Sequence, residues 1–238
     1  VAAVLESGAC PGLRPPLRIA PLGGLGDHIF VAGAVRFLAA YHERIVVISE
    51  WHQAASVAAL YRDLPGVHVL PPGMGADAPD MAHITVDLVG GRTERLEPVQ
   101  MRQLGVSWEA SWTCFRLDRD WAAEAALLAE IGVSEGEEFV FVHDDVRRGL
   151  VIDRRRLPDG LRLVEPGGSR GAVRRFPLPV WLGVLERAAE VHCIESSFAA
   201  LVDRCPSVCG RLVFHRYARP HGTERMKATR RRLWEVLR

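Results

Sequence analysis

Residues 17–49 read LRIAPLGGLGDHIFVAGAVRFLAAYHERIVVIS, and this stretch decides the fold. LRIAPL at 17–22 is a short apolar run that stops at glycines, as a buried strand does. Residues 28–42 place apolar side chains at helical spacing, and RIVVIS at 44–49 is the next strand. The order strand, glycine turn, helix, strand is a βαβ opening. Moving outward, a helix is expected at 51–62, a strand at 67–71 and a short strand at 83–88. Alternation of this kind calls for a parallel sheet covered by helices.

The segment 94–136 breaks the rhythm. It holds few strand signals, three of the six tryptophans (Trp108, Trp112, Trp121) and a strong helical run at 120–133. The alternation then restarts with a buried strand at 138–145 and another at 161–166. A helix at 177–190, a strand at 191–195, a helix from Ser196 or Ser197 and a strand at 211–215 follow, and a basic helix at 223–237 ends the chain. The expected fold class is α/β, with two small Rossmann-like domains facing a cleft: residues 1–114, a linker or bridging helix at 115–137, and residues 138–238.

Composition narrows the class. The 238 residues are 48% hydrophobic and 25% charged with a net charge of +1, which excludes a disordered chain, a collagen and a disulfide scaffold. That near-neutrality conceals an asymmetry, −6 over residues 1–210 and +7 over 211–238. A basic end on an acidic body suits an anionic partner, and it equally suits a solvated helix face. Arg230, Arg231 and Arg232 offer a peripheral contact with acidic lipid. Five cysteines without a recognisable secretory signal point to the cytoplasm. No CxxC pair supports zinc, no apolar run is long enough to span a bilayer, and no interleaved aromatic and basic stripe supports nucleic-acid binding.

Two junctions carry chemistry. At the first, Gly24 and Gly26 permit a tight turn and bring backbone amides near the N-terminus of the following helix, a site for something negative or strongly polar. As a dinucleotide fingerprint the turn has Ile29 where a third small residue belongs, although Glu50 could serve a ribose. No Gly-Lys-Ser/Thr follows, so it is not a Walker loop. Asp27 is either a helix cap or a carboxylate placed for catalysis. At the second junction, EVHCIESSFAALVD (190–203), a strand runs straight into a helix, and the helix amides with the Ser196 and Ser197 hydroxyls form an anion site. Glu195 there caps the helix or accepts from a ribose hydroxyl. His143, Asp144, Asp145, Arg147 and Arg148 follow a strand end, where ligand contacts collect and where surface turns are equally common. Arg216 and Arg219 could grip a diphosphate. Asp118-x-Asp120 imitates a metal-binding pair, but it precedes the strongest helix and reads more cheaply as a cap.

The Gly-Leu-Gly-Asp turn (24–27) before an apolar helix resembles the N-terminal loop of GT-B glycosyltransferases of the ADP-heptose:lipopolysaccharide heptosyltransferase type. The 190–203 motif resembles the donor-binding turn of the same superfamily, with Glu-Ser-Ser-Phe in place of that family's glycine. The segments His143-Asp144-Asp145 and His215-Arg216-Tyr217-Ala218-Arg219 are similar to those of small bacterial glycosyltransferases of unassigned substrate. The resemblance implies transfer of a sugar from a nucleotide-diphospho-sugar to a glycan, lipid-linked or small-molecule acceptor, without metal or other cofactor. It implies Asp27 as general base, and donor contacts from Gly24, Gly26, His143, Arg147, Glu195, Ser196, Ser197, Arg216 and Arg219. The alternatives are an NAD(P)-dependent Rossmann oxidoreductase and a non-catalytic nucleotide- or glycan-binding protein.

Overall fold

The computed structural model describes residues 14–21, 23–74, 81–86, 96–167, 175–219 and 232–238. The chain divides into two compact units, with the division between Asp118 and Arg119.

In the first unit, strand β1 (Leu17–Pro21) is followed by helix α1 (Leu25–Leu38), β2 (Ile45–Ile48), α2 (Ala54–Ala59), β3 (Val67–Leu70) and β4 (Ala82–Val86). Helices α3 (Leu96–Leu104) and α4 (Trp108–Thr113) close it. The sheet order is β3-β2-β1-β4 and every pair is parallel, with Leu17 in register with both Ile45 and Ala82. Because β1 has β2 on one side and β4 on the other, the chain reverses its direction of winding at the carboxyl end of β1. Ligands in open parallel sheets bind outside such a switch point.

Helix α1 is buried almost all round, so its polar residues need partners. The Arg36 guanidinium donates to both Asp63 oxygens, at 2.6 and 2.9 Å, and to the Leu60 carbonyl at 2.8 Å. Gly33 is where α4 crosses: a Cβ there would lie 1.7 Å from the Ser111 carbonyl oxygen. The close contact that the dinucleotide fingerprint would place at residue 29 is therefore made at residue 33, and Ile29 is instead a fully buried core side chain.

The second unit begins with α5 (Trp121–Ile131), whose N-cap Asp120 accepts from the Ala123 amide at 3.0 Å and whose chain reverses at Gly132 with φ 68°. Strand β5 (Phe139–His143), β6 (Arg162–Val164), α6 (Leu182–Arg187), β7 (Glu190–Cys193), α7 (Ser197–Arg204), β8 (Arg211–His215) and β9 (Glu235–Leu237) follow. The sheet order is β6-β5-β7-β8-β9, again all parallel. Its switch point lies at the carboxyl ends of β5 and β7. Phe141, Trp181 and Phe198 stack edge to face or tilted at the centre of the core, with ring centroids 5.1–6.2 Å apart.

Two sequence expectations change. The strong helix inside the 115–137 stretch, read as a bridge, covers the second unit: Arg119 joins Glu124 on α5 to Glu186 on α6, the latter at 2.7 Å, and Gly183 makes room for the Glu124 carboxylate. Where the expected basic helix of 223–237 enters the described residues, 235–237 form β9 instead, because they can complete the free edge of β8 while Trp234 packs on Phe214. Residues 220–231, with Arg230 and Arg231, lie outside the described residues. Arg232 is turned onto the Cys205 and Val208 carbonyls, the former at 3.1 Å, and so is not a lipid-facing charge.

Gly33→Ala should destabilise the protein by roughly 1–3 kcal/mol in chemical denaturation, because the methyl group must displace the α4 backbone. An unchanged midpoint would mean that the two helices do not make this contact.

Candidate functional site

At the first switch point the turn after β1 is shaped by one carboxylate. Asp27, in the first turn of α1, folds back so that its Oδ2 accepts the Gly24 amide hydrogen at 2.9 Å. Its Oδ1 accepts from the Gln100 side-chain amide on α3 at 3.1 Å. A Cβ on Gly23 would lie 2.1 Å from Oδ2, so the carboxylate occupies the space that any other residue at 23 would fill. Gly24 has open space around it and needs no glycine for steric reasons. The Gly24 amide, expected to face a phosphate, is instead engaged by the Asp27 carboxylate, and Gly26 lies one residue before Asp27 in the first turn of α1.

The environment also sets the acidity of Asp27. Burial raises its pKa above the ordinary carboxylate value, while hydrogen bonds from Gln100 and Gly24 lower it. Its neighbour His28 is buried with Nδ1 unpartnered, and burial pushes its pKa down to about 4. Gln100, fully buried, is the functional candidate that the sequence reading passed over. Its signal was a glutamine one turn before the buried Leu104 on an otherwise apolar helix face. Gly23 was masked by the more familiar spacing of Gly24 and Gly26.

At the second switch point, β5 ends in His143, whose carbonyl accepts from the Ile194 amide at 3.2 Å. The imidazole lies against Phe198 with centroids 4.5 Å apart, and burial pushes its pKa down to about 4 against the opposing pull of Asp144 and Asp145. Ser196 is the N-cap of α7, its hydroxyl accepting from the Ala199 amide at 3.4 Å, and Ser197 opens the first turn. Arg219 spans this turn from the end of β8: its Nη1 donates to the Glu195 carbonyl at 2.6 Å and its Nε lies 4.0 Å from the Glu195 carboxylate. Arg216 is tied by its amide to the Leu237 carbonyl at 2.9 Å. The strand-end topology thus gathers His143, Glu195, Ser196, Ser197, Arg216 and Arg219 at one edge. Arg147 stands exposed on the following turn.

The remaining candidates have structural partners. Asp144 accepts from the Ile152 amide at 3.1 Å and pairs with Arg154 at 3.0 Å. Asp145 caps the turn at 146–148 and pairs with Arg148 at 2.6 Å. Asp118 pairs with Arg62 at 3.2 Å, and Asp120 caps α5. Among the described residues no group of three or more His, Cys, Asp or Glu side chains is placed to hold a metal ion. No disulfide joins Cys114, Cys193, Cys205 and Cys209 to one another, and no described helix is long and apolar enough to cross a membrane.

No protein-family model and no curated protein matches the chain. Two solved structures are similar to it. One is the dodecameric iron-containing heptosyltransferase TibC in complex with ADP-D-β-D-heptose, at 16% identity and a TM-score of 0.51, covering 86% of this chain and 59% of that one. The other is a glycosyl transferase family 9 structure from Veillonella parvula, at 10% identity and a TM-score of 0.51, covering 87% of this chain and 82% of that one. The fold is shared with these glycosyltransferases. The α/β class with two Rossmann-like units, expected from sequence, is borne out. The chain spans about three-fifths of the heptosyltransferase's length.

Two outcomes test the site. Gln100→Leu removes a donor to the ionised form of Asp27, so the Asp27 pKa followed by carboxyl ¹³C NMR should rise further; an unchanged titration would mean that Gln100 does not hold the carboxylate. A second test concerns His28, His143 and His215, which take up protons only near pH 4 when folded but near 6.5 when unfolded. The unfolded state therefore binds more protons in that window, and stability is lost as pH falls from 6.5 towards 4. Tm at pH 5 should lie below Tm at pH 7; a flat profile would contradict the burial of these rings.

Proposed function

We propose that the protein is a glycosyltransferase that moves a sugar from a nucleotide-diphospho-sugar to an acceptor hydroxyl. The observation that carries this reading is the Asp27 carboxylate at the carboxyl end of β1, held through both oxygens by Gly24 and Gln100. A carboxylate so fixed can accept a proton without reorganising, and burial raises its basicity. The fold shared with TibC and the Veillonella parvula protein supports the same class.

In this mechanism Asp27 takes the proton of the acceptor hydroxyl as its oxygen attacks the anomeric carbon. The bond from that carbon to the donor's diphosphate breaks, its electron pair stays on the phosphate oxygen, and one further negative charge grows on the departing nucleoside diphosphate. That charge falls to the second unit. The Ser196 and Ser197 hydroxyls, the first turn of α7 and the forks of Arg216 and Arg219 supply donors. Arg147 adds charge from the rim, and His143, neutral at physiological pH, offers a hydrogen bond without adding charge. Glu195, steadied by Arg219, is positioned for a ribose hydroxyl. No step draws on a metal or organic cofactor. We place the activity in the cytoplasm, where nucleotide-sugars are available.

Because TibC is solved with an ADP-heptose, ADP and ADP-sugars head the set of ligands to try, followed by UDP, GDP and CMP species. Stabilisation in a thermal-shift assay by one of these nucleotides, but not by NAD(P), is the expected result; stabilisation by NAD(P) alone would sink the proposal. With the matching donor and acceptor, Asp27→Asn should lower kcat by about 10²–10⁴-fold and leave nucleotide affinity nearly unchanged. Retained turnover would remove Asp27 from the role of base.

A further inference from the structure

Behind the carboxyl edge of the second sheet runs a file of polar groups that the transfer mechanism leaves unused. His192 in β7 and His215 at the end of β8 are both buried. The Glu190 carboxylate lies 2.7 Å from His192 Nε2, His192 Nδ1 lies 2.8 Å from His215 Nε2, and His215 Nδ1 lies 3.0 Å from the Tyr217 hydroxyl. The Asp153 amide donates to that same hydroxyl oxygen at 2.8 Å. Arg211 holds the far end, reaching Glu190 at 3.1 Å and Glu235 at 2.6 Å.

The two ends of this file are fixed by chemistry, since a carboxylate only accepts and an amide N–H only donates. Each neutral imidazole between them offers one donor and one acceptor, so one assignment satisfies every link. His192 carries its proton on Nε2 and donates to Glu190. Its Nδ1 accepts from His215 Nε2–H, and His215 Nδ1 accepts from the Tyr217 hydroxyl. The Tyr217 oxygen then has a lone pair for the Asp153 amide. Both rings are kept neutral: burial lowers His192 against the pull of Glu190. His215 is pushed to about 4 by burial and by the nearby charges of Arg156 and Arg154.

Asp153 opens the turn Arg154–Arg156. Ile152 and Leu157, on either side of it, pack with Val140, Val142 and Ile194 over the ends of β5 and β7, with Ala218 against them. Arg154 pairs with Asp144 and Glu165, and Arg155 folds back onto Asp153 at 2.9 Å. Arg156 differs, since its guanidinium lies over the neutral Tyr217 ring, 4.7 Å from the centroid.

We propose that Tyr217 is a positioning residue that presents Arg156 as a further anion-binding arginine at this edge, its hydroxyl aimed by the Glu190–His192–His215 file. The inference rests on the assignment of the donor to the second unit. Histidine ¹⁵N NMR on the full chain at pH 7 should find both His192 and His215 neutral with the proton on Nε2. Tyr217→Phe keeps the ring but should speed Asp153 amide exchange about tenfold. With ADP as probe, Tyr217→Phe and Arg156→Met should each raise Kd about five- to tenfold. Tyr217→Phe should add nothing in the Arg156→Met background, a coupling that general loosening of the fold would not produce. His215 protonated on Nδ1 or doubly protonated, or additive losses in the double variant, would overturn the proposal. If Tyr217→Phe does not fold, the wild-type tautomers and the Arg156→Met affinity decide it. Failure of the wild type to bind ADP or any other nucleotide would instead remove the donor assignment, and is distinguishable because tautomers and amide exchange are read without ligand.

Discussion

Every strand pair in both units is parallel, and much of the molecule follows from that constraint. Parallel neighbours cannot be joined by a hairpin, so each connection must cross a face of the sheet and return to the same edge. The crossings supply the covering helices and bury the strands on both sides, which is why β2 and most of β1 and β5 are unbroken apolar runs. They also bring all carboxyl ends to one edge. Where the winding changes direction, after β1 and between β5 and β7, neighbouring connections leave to opposite sides and side chains at the strand ends can converge. Asp27 and the Glu195–Ser197 turn occupy those two places.

Much of this was legible in the sequence, because its signal is local. The apolar run, glycine stop and helical spacing of 17–49 report β1 and β2 to within one residue at each end and α1 with its ends three and four residues too late. The Ser196 cap shows in the same way as a hydroxyl at a strand-to-helix boundary. What escaped depends on contacts between distant parts of the chain. Gln100 matters only because α3 lays it beside Asp27, 73 positions earlier. Gly33 matters only because a carbonyl of α4 crosses above it. Strand β9 is three residues long beside a basic run, and it exists because β8 presents a free edge; no periodicity over three residues could announce it. The reading of α5 as a bridge failed for a related reason, since an amphipathic helix does not say which unit it covers.

Buried ionisable groups in both units show one physical pattern. Arg36 is matched by the Asp63 carboxylate and the Leu60 carbonyl, and Arg119 by the Glu124 and Glu186 carboxylates. His28 and His143 have no such compensation at Nδ1, and burial drives both towards the neutral form. Asp27 lies between these extremes: two donors favour its anion, while desolvation opposes it. A carboxylate in that balance is a stronger base than one in water, and its donors stop it turning away from the strand end.

The two strand-to-helix junctions are alike in backbone and differ in the side chains at the helix start. After β1 the first turn of the helix has a carboxylate folded onto it, so the helix's partial positive end and the Gly24 amide are already matched by an internal anion. A phosphate placed there would meet like charge at short range, whereas a neutral hydroxyl could donate to an unused lone pair of the carboxylate. After β7 the N-cap and first helical position hold Ser196 and Ser197, which can donate hydrogen bonds, while the Glu195 carboxylate just before them faces Arg219 across the turn. Similar topology thus places a carboxylate, Asp27, in the first helical turn of one unit and a hydroxyl, Ser197, in that of the other, so the first helix start can only accept a hydrogen bond there while the second can also donate one.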